Sequence, residues 1–418
     1  MATQRTGVSD RSRRSTLGLV LRGGGLLVAL PAGTAAAVVM GTAWRRRRRQ
    51  FQGFPHPAYP PVHGGATTIQ LYSYGRDLFA ARLDAIDTAQ ESVYLESFLW
   101  KGDTVGQNFK ERLARKAAQG VDVYVVFDWF GNLVVPAAFK AFPPAIHTLA
   151  YQGIRRPWHL LDPRRYALEH RKLLVVDGQV GFLGGYNLGS LYATQWRDTH
   201  LRVAGPAAAQ LAQVFVDFWN SHAPPGDRIT RHYTRQFDAA FVPHDNDAAR
   251  LAFPIRDMYI SAIDRAEHHV SLTNAYFIPD RVLRATLVAA ARRGVDVQVL
   301  LPWRSNHTLA DWMARALFTP CLEAGIRIFR YKAMIHAKTC TIDGVWSTIG
   351  TANLDRLSAV GNFELNAEIY NRDLARHMDD LFAHDKANAT ELTRENWSAR
   401  PWPDKVGERI LAPLHVFM

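Results

Sequence analysis

Sulfur has little part in this chain. Only Cys321 and Cys340 occur in 418 residues, too few for a disulfide framework or a cysteine-rich zinc site. Cys340 reads as a buried, reduced packing residue. Acidic residues are nearly missing from the first fifty positions, where ten arginines face Asp10 alone, so most of the formal charge of +12 belongs to an N-terminal arm. The rest of the chain is close to neutral and lacks the basic track that nucleic-acid enzymes normally carry. There is no low-complexity excess. With 48% hydrophobic and 21% charged residues the chain is globular, and long enough for two domains or one large two-layered unit with a tail. No P-loop, GxSxG or HExxH pattern occurs, so none of those chemistries is indicated.

Charge of either sign is missing from Gly23 to Trp44, a run of 22 residues. At 1.5 Å per residue such a helix reaches roughly 30 Å, the thickness of a hydrocarbon core. Arg22 and Trp44 stand where interfacial anchors belong, and Arg45 to Arg49 come directly after. The run is rich in Gly and Ala and predicts a single membrane span. The five arginines would hinder translocation of the chain beyond them, which keeps the catalytic part on the cytoplasmic side. The alternatives are a disordered tail or an export signal, since Ser12 to Leu17 resembles a twin-arginine signal with Ala35 to Ala37 as its cleavage site. The expected organisation is a basic arm (1–22), an anchor (23–44), a basic, Pro-rich linker (45–66), two related halves (67–225 and 247–390) and an aromatic tail (391–418).

The halves are two copies of one pattern. Ala85-Ile86-Asp87 leads to VYLESFLW, a helical stretch and Gly120-Val121-Asp122-Val123; Ala262-Ile263-Asp264 leads to VSLTNAYFIP, a helical stretch and Gly294-Val295-Asp296-Val297. Short β-branched runs alternate with stretches of helical period, and Gly120 and Gly294 stand where a helix C′ glycine is expected. Each half is therefore an α/β unit whose central strands are apolar on both faces. The register tightens at the polar positions. His170, Lys172, Asp177, Gly184, Asn187 and Asp198 align with His336, Lys338, Asp343, Gly350, Asn353 and Glu364, every pair 166 residues apart. One HxKxxxxD match is weak evidence; two, each trailed by Gly-x-x-Asn and an acid, are strong.

With HRKLLVVDGQVGFLGGYN and HAKTCTIDGVWSTIGTAN, the chain resembles the phospholipase D superfamily in its two-motif form, over roughly Thr67 to Asp385. Tyr276-Phe277-Ile278-Pro279-Asp280, GTANLDRLSAVGNFELNAEIY and the ending TRENWSARPWPDK are closer to bacterial cardiolipin synthases. Two departures stand out. The serine usual after the motif glycine is Gly185 in one copy and Thr351 in the other, and there is one N-terminal apolar span where the best-known synthases have two. The resemblance implies two α/β/α sandwiches about a pseudo-two-fold axis, with one shared site at the seam. A monomer would then suffice.

The residues support that chemistry on their own terms. His and Lys two apart on a strand leave the same face. Lys172 and Lys338 can hold nonbridging phosphate oxygens, and Asn187 and Asn353, each after a strand and a Gly-rich turn, are candidates for completing an oxyanion cradle. With these donors no metal and no cofactor is required for charge neutralisation. One imidazole attacks phosphorus, forming a phosphohistidine, while the other protonates the leaving alcohol and deprotonates the incoming one. The residues leave open which histidine attacks; the resemblance implies His170 as nucleophile and His336 as acid/base. Asp198 and Glu364, each 28 residues beyond the histidine of its own half, are candidates for orienting that ring and favouring its imidazolium. In the family the motif aspartates, here Asp177 and Asp343, are structural.

Blander readings hold elsewhere. His159, His269 and His384 read as structural or surface residues, and Tyr276 and Phe277 divide evenly between core and lipid contact. The first half carries six extra residues before its histidine, and Arg155, Arg156, Trp158, Arg164 and Arg165 there suit an anionic headgroup, a membrane surface or plain solvent. Trp397, Trp402 and ILAPLHVFM form an aromatic tail for an interface or for packing. The expected activity is phosphatidyl transfer on anionic glycerophospholipids at the bacterial inner membrane, in the manner of cardiolipin synthesis from phosphatidylglycerol. A phospholipase D hydrolase releasing phosphatidic acid is the alternative, a nuclease the more distant one, and an inactive lipid-binding scaffold is disfavoured because neither half has lost its His, Lys or Asn.

Overall fold

The computed structural model describes residues 53–234, 238 and 240–411. The expected N-terminal arm and apolar span, and the end of the aromatic tail, lie outside the described residues. Among the described residues no helix is long and apolar enough to cross a membrane.

The first half contributes strands β1 (Val62–Gly64), β2 (Thr67–Tyr72), β3 (Ser92–Ser97), β4 (Asp122–Asp128), β5 (Ile146–Tyr151), β6 (Lys172–Val176), β7 (Val180–Gly184), β8 (Trp196–Arg197) and β9 (His200–Ala204). The second contributes β10 (Phe241–Asn246), β11 (His269–Asn274), β12 (Asp296–Pro302), β13 (Arg327–Tyr331), β14 (Met334–Ile335), β15 (Lys338–Ile342), β16 (Trp346–Gly350), β17 (Glu364–Tyr370) and β18 (Ala389–Leu392). They build two eight-stranded sheets, ordered β1-β2-β9-β7-β6-β3-β4-β5 and β10-β17-β16-β15-β11-β12-β13-β18. Seven consecutive strands of one sheet match seven of the other, and each sheet adds one edge strand of its own. In both, the parallel trio (β3, β4, β5 or β11, β12, β13) meets an antiparallel strand that begins at the motif lysine, Lys172 opposite Ser97 and Lys338 opposite Asn274.

The central strands are buried on both faces because helices cover both faces. Leu173 and Leu174, adjacent on β6 and pointing to opposite sides, are both fully buried; truncating either to alanine would cost about 2–5 kcal/mol. Helices Gly75–Thr88 and Thr104–Ala118 cover the outer face of the first sheet. Helices Pro254–Asp264, Arg281–Arg292 and Thr308–Glu323 cover the outer face of the second, where Cys340, Cys321 and Trp397 also pack. Between the sheets lies one continuous apolar core, shared by strands of both halves and by helices Pro206–His222 and Arg372–Ala387. The expected α/β/α sandwiches thus share a middle helical layer, which makes the two halves one body.

Turn chemistry follows the sequence. Gly120 and Gly294 adopt φ of 90° and 96° behind their helices, a region open to glycine at little cost. Asp177 and Asp343 are non-glycine residues at φ of 53° and 52°. Each carboxylate accepts three backbone N–H groups, from Gln90, Glu91 and Ser92 in one half and from Glu267, His268 and His269 in the other. The motif aspartates therefore bolt the start of β3 and β11 to a tight turn, at the sheet end remote from the histidines.

Candidate active site

The loops that leave β3, β4, β5 and β7 emerge at one end of the first sheet, and their counterparts at one end of the second. These ends meet at the seam, where two short parallel pairings cross between halves. Met334 and Ile335 pair with Trp196 and Arg197, while Glu169 pairs with Phe363. The backbone N–H of His336 donates to the Arg197 carbonyl at 2.7 Å and that of His170 to the Phe363 carbonyl at 3.0 Å. Each histidine is thus held by the strand that precedes the other half's acid.

The side chains follow the backbone across. His170 Nδ1 lies 2.9 Å and 3.0 Å from the Glu364 carboxylate oxygens, and His336 Nδ1 lies 2.6 Å from Asp198 Oδ2. Reading 28 residues along the chain as a link within each half is therefore corrected. The carboxylates are exchanged, because the seam ladder carries residue 197 to 335 and residue 363 to 169. A carboxylate at Nδ1 selects the Nδ1–H tautomer and leaves Nε2 with its lone pair.

Both lysines are buried within the same nest. Lys172 Nζ donates to the His170 carbonyl at 2.6 Å, and Lys338 Nζ donates to the His336 carbonyl. Burial lowers Lys172 to about 7 and Lys338 to about 8. Burial and then the lysine ammonium groups press His170 well below the ordinary imidazole range and His336 down to about 3. The carboxylates diverge. Burial would raise Asp198, but His336 and Lys338 together hold it below the usual range, whereas burial lifts Glu364 to about 7.

Their supports diverge as well. Thr351 Oγ1 donates to Glu364 Oε2 at 2.6 Å. At the matching Gly185 a Cβ would fall inside the Asp198 carboxylate, so glycine makes room for the shorter acid. The two departures from the motif serine therefore each sit against an acid, one as a space and one as a donor.

The asparagines are not equivalent. Asn187 Oδ1 accepts the Leu99 N–H at 3.2 Å, which fastens the loop after β3, whereas the buried Asn353 Oδ1 has no partner. Aromatic rings wall the site, two of them not singled out in the sequence: the Phe98 ring stands 4.7 Å from His170 and 5.2 Å from Lys172 Nζ, and Trp196 stands 5.2 Å and Tyr276 6.3 Å from His336. Their position directly after a strand or beside a motif acid was the only signal. Of the evenly read pair, Phe277 is core and Tyr276 lines the site. Elsewhere, His159, His269 and His384 make local contacts away from the site, and Cys340 is fully buried with its thiol pushed up by burial. Trp397 is packed while Trp402 is exposed, on a helix (Trp402–Leu411) held by Arg315 through Asp404 and Glu408.

Two neutral imidazoles, two partly protonated lysines and two buried acids of unlike affinity form a setting for attack on a phosphodiester and proton delivery to its leaving group. A profile for the family described as "Cardiolipin synthase, PLD-like domain" matches residues 83–219 and 259–386. Cardiolipin synthase A of Pseudomonas putida is 34% identical over 363 residues, 82% of this chain and 73% of that protein. A cardiolipin synthase of Staphylococcus aureus is 30% identical over 355 residues, 79% of this chain and 70% of the relative. Among solved structures, phosphatidylserine synthase of Haemophilus influenzae matches with a TM-score of 0.64 at 13% identity, over 87% of this chain and 94% of that one, a likeness of fold.

Proposed function

Because the chain belongs to the phospholipase D-like cardiolipin synthase family, it is a phospholipid phosphatidyltransferase, and we propose that it joins two phosphatidylglycerol molecules into cardiolipin with release of glycerol. His170 Nε2 attacks phosphorus and forms a P–N bond. His336, which takes up a proton at Nε2 as the substrate phosphate enters beside the lysines, gives that proton to the departing glycerol oxygen and is left neutral. The terminal hydroxyl of a second phosphatidylglycerol then gives its proton to His336 and attacks phosphorus, which breaks the P–N bond and returns neutral His170. Lys172 and Lys338 hold the nonbridging oxygens, and an arriving phosphate anion restores the charge that burial has weakened.

The observation that carries this division is the unlike pair of acids. An acid held ionised, as Asp198 is, stabilises an imidazolium and suits His336 as the proton carrier. Glu364, lifted to about 7, is ionised only above that pH, where it accepts from His170 Nδ1 and leaves Nε2 of a neutral ring free to attack. We place the work at a bacterial inner membrane, with residues 23–44 as a single span and the catalytic part cytoplasmic, export being the alternative. One chain supplies both halves of the site, and neither a metal nor a nucleic acid enters the scheme.

Purified full-length protein in detergent with phosphatidylglycerol, followed by mass spectrometry, tests the proposal. Cardiolipin and glycerol, lost in both His170→Ala and His336→Ala, are expected. Phosphatidic acid alone would make the protein a hydrolase, and cleavage of a nucleic-acid diester with no lipid product would end the lipid reading.

A further inference from the structure

Most of the large apolar side chains left exposed on the described residues sit in loops that leave the active-site end of the sheets. They concentrate in the first half, in two neighbouring loops that follow the adjacent strands β4 and β5. The first runs from Trp129 to Pro136, with Phe130 62% and Val134 84% exposed. The second is the segment before His170, six residues longer than its counterpart and folded in part as two 3-10 turns (Pro157–Leu161 and Pro163–Tyr166), with Trp158 61% and Leu161 87% exposed.

Neither loop is loosely attached. Asp128 accepts the Gly131 N–H at 2.6 Å with one oxygen and the Glu169 N–H at 2.9 Å with the other, which ties the first loop to the residue before His170. Asn132 donates to the Phe98 carbonyl at 2.7 Å, and Phe98 is the ring against His170. The insertion runs directly into Ala167, Leu168 and Glu169. Neighbouring exposed apolar side chains form a patch of the kind that marks a protein or membrane interaction site. Cations stand among them: the Arg156 guanidinium lies 5.3 Å over the Trp158 ring, and Arg155 and Arg165 are exposed beside it. Exposed Trp with interleaved arginine matches an anionic bilayer interface, where the ring enters the headgroup layer and the guanidinium meets phosphate.

We propose that these two loops form a membrane-docking lip that seats the mouth of the active site on an anionic bilayer. This rests on the lipid reading of the site and adds how the lipid reaches it. Phe130, Val134, Trp158 and Leu161 enter the interface, and Arg155, Arg156 and Arg165 hold anionic headgroups. The second half has no such insertion before its histidine, so the molecule docks tilted toward His170.

The native cysteines are both buried, so one introduced cysteine can be labelled with an environment-sensitive fluorophore. Full-length protein carrying His170→Ala, which leaves the lipid unconsumed, is labelled at Val134→Cys, Leu161→Cys or, at the remote β6–β7 turn, Gln179→Cys. Vesicles of phosphatidylcholine with phosphatidylglycerol should shift emission to the blue at 134 and 161 and leave 179 unchanged. No shift at 134 and 161, or an equal shift at 179, overturns the proposal. In the active protein, Trp158→Glu with Leu161→Glu should raise the apparent KM for vesicle lipid about tenfold, while kcat on dispersed short-chain phosphatidylglycerol stays as in the parent. An unchanged KM on vesicles also overturns it. The label reports docking without turnover, so a protein that docks but makes no cardiolipin would fail the proposed activity and keep the lip.

Discussion

The two halves of this molecule carry the same reacting residues at one spacing and support them differently. In the first, Gly185 leaves space for Asp198 and a buried Glu96–Arg171–Glu169 cluster lies beneath His170. In the second, Thr351 grips the longer Glu364, and the positions matching Glu96, Glu169 and Arg171 are Thr273, Ile335 and Ala337. Only the first half bears the exposed apolar insertion. The duplicated site thus keeps the paired His, Lys and Asn alike while the residues behind them differ, and on the proposed mechanism that difference is what divides the work between the two histidines. Glu364 near 7 and Asp198 below the ordinary range are the electrostatic form of this asymmetry.

The sharpest test removes one histidine at a time. His170→Ala should lower kcat by about 10⁴-fold or more and abolish any acid-labile phosphoenzyme. His336→Ala should cost about 10²–10⁴-fold, and should still accumulate phosphoenzyme from a lipid with a good leaving group. Phosphoenzyme on the other variant would exchange the two roles.

A smaller loss is expected from disturbing one acid. Gly185→Ser should push Asp198 off His336 and lower kcat/KM by about 10–100-fold, whereas Thr351→Ser keeps its hydroxyl and should change it less than about threefold. Equal losses would mean that the two supports are interchangeable.

The pH profile separates the acids without disturbing the fold. Glu364 gains a proton as pH falls through about 7; its carboxyl then donates to His170 Nδ1, which moves the ring hydrogen to Nε2 and disarms the nucleophile. Asp198, held low, contributes no such limb. Activity should fall on the acid side near 7 and, as Lys172 and Lys338 lose their protons, on the alkaline side near 7 to 8. Glu364→Gln should remove the acid limb and Asp198→Asn should not, as kcat/KM against pH would record.

Where the halves are alike, the effects should be alike and confined to stability. Asp177→Ala and Asp343→Ala each remove three backbone hydrogen bonds and place alanine in a left-handed turn, at a cost of about 2–4 kcal/mol measured by denaturant titration. Asparagine at either position should recover much of that loss, because it tolerates the turn and still accepts.

Much of this was legible in advance because it is local. Strand-length apolar runs, the glycines behind helices and the alternation that puts His and Lys on one face depend on residues a few places apart. Phe98 and Trp196 were not legible as site walls, and Tyr276 only evenly so, since an aromatic after a strand is more often core. The proposed lip was half legible: the basic segment before His170 stood out by its length, whereas nothing in the sequence singled out Trp129 to Pro136, which only the pairing of β4 with β5 brings beside it.

The sequence by itself determined the duplication, the sheet-forming segments and the identity of the paired histidines and lysines, all of them matters of period and spacing; the structural part of Asp177 and Asp343 came from the family resemblance, and their turn from the fold. Tertiary structure alone decided which carboxylate serves which histidine. Asp198 and Glu364 sit at equal distances along the chain from their own histidines. Only the crossing of β14 onto β8, and of Glu169 onto Phe363, carries each one to the other half's ring.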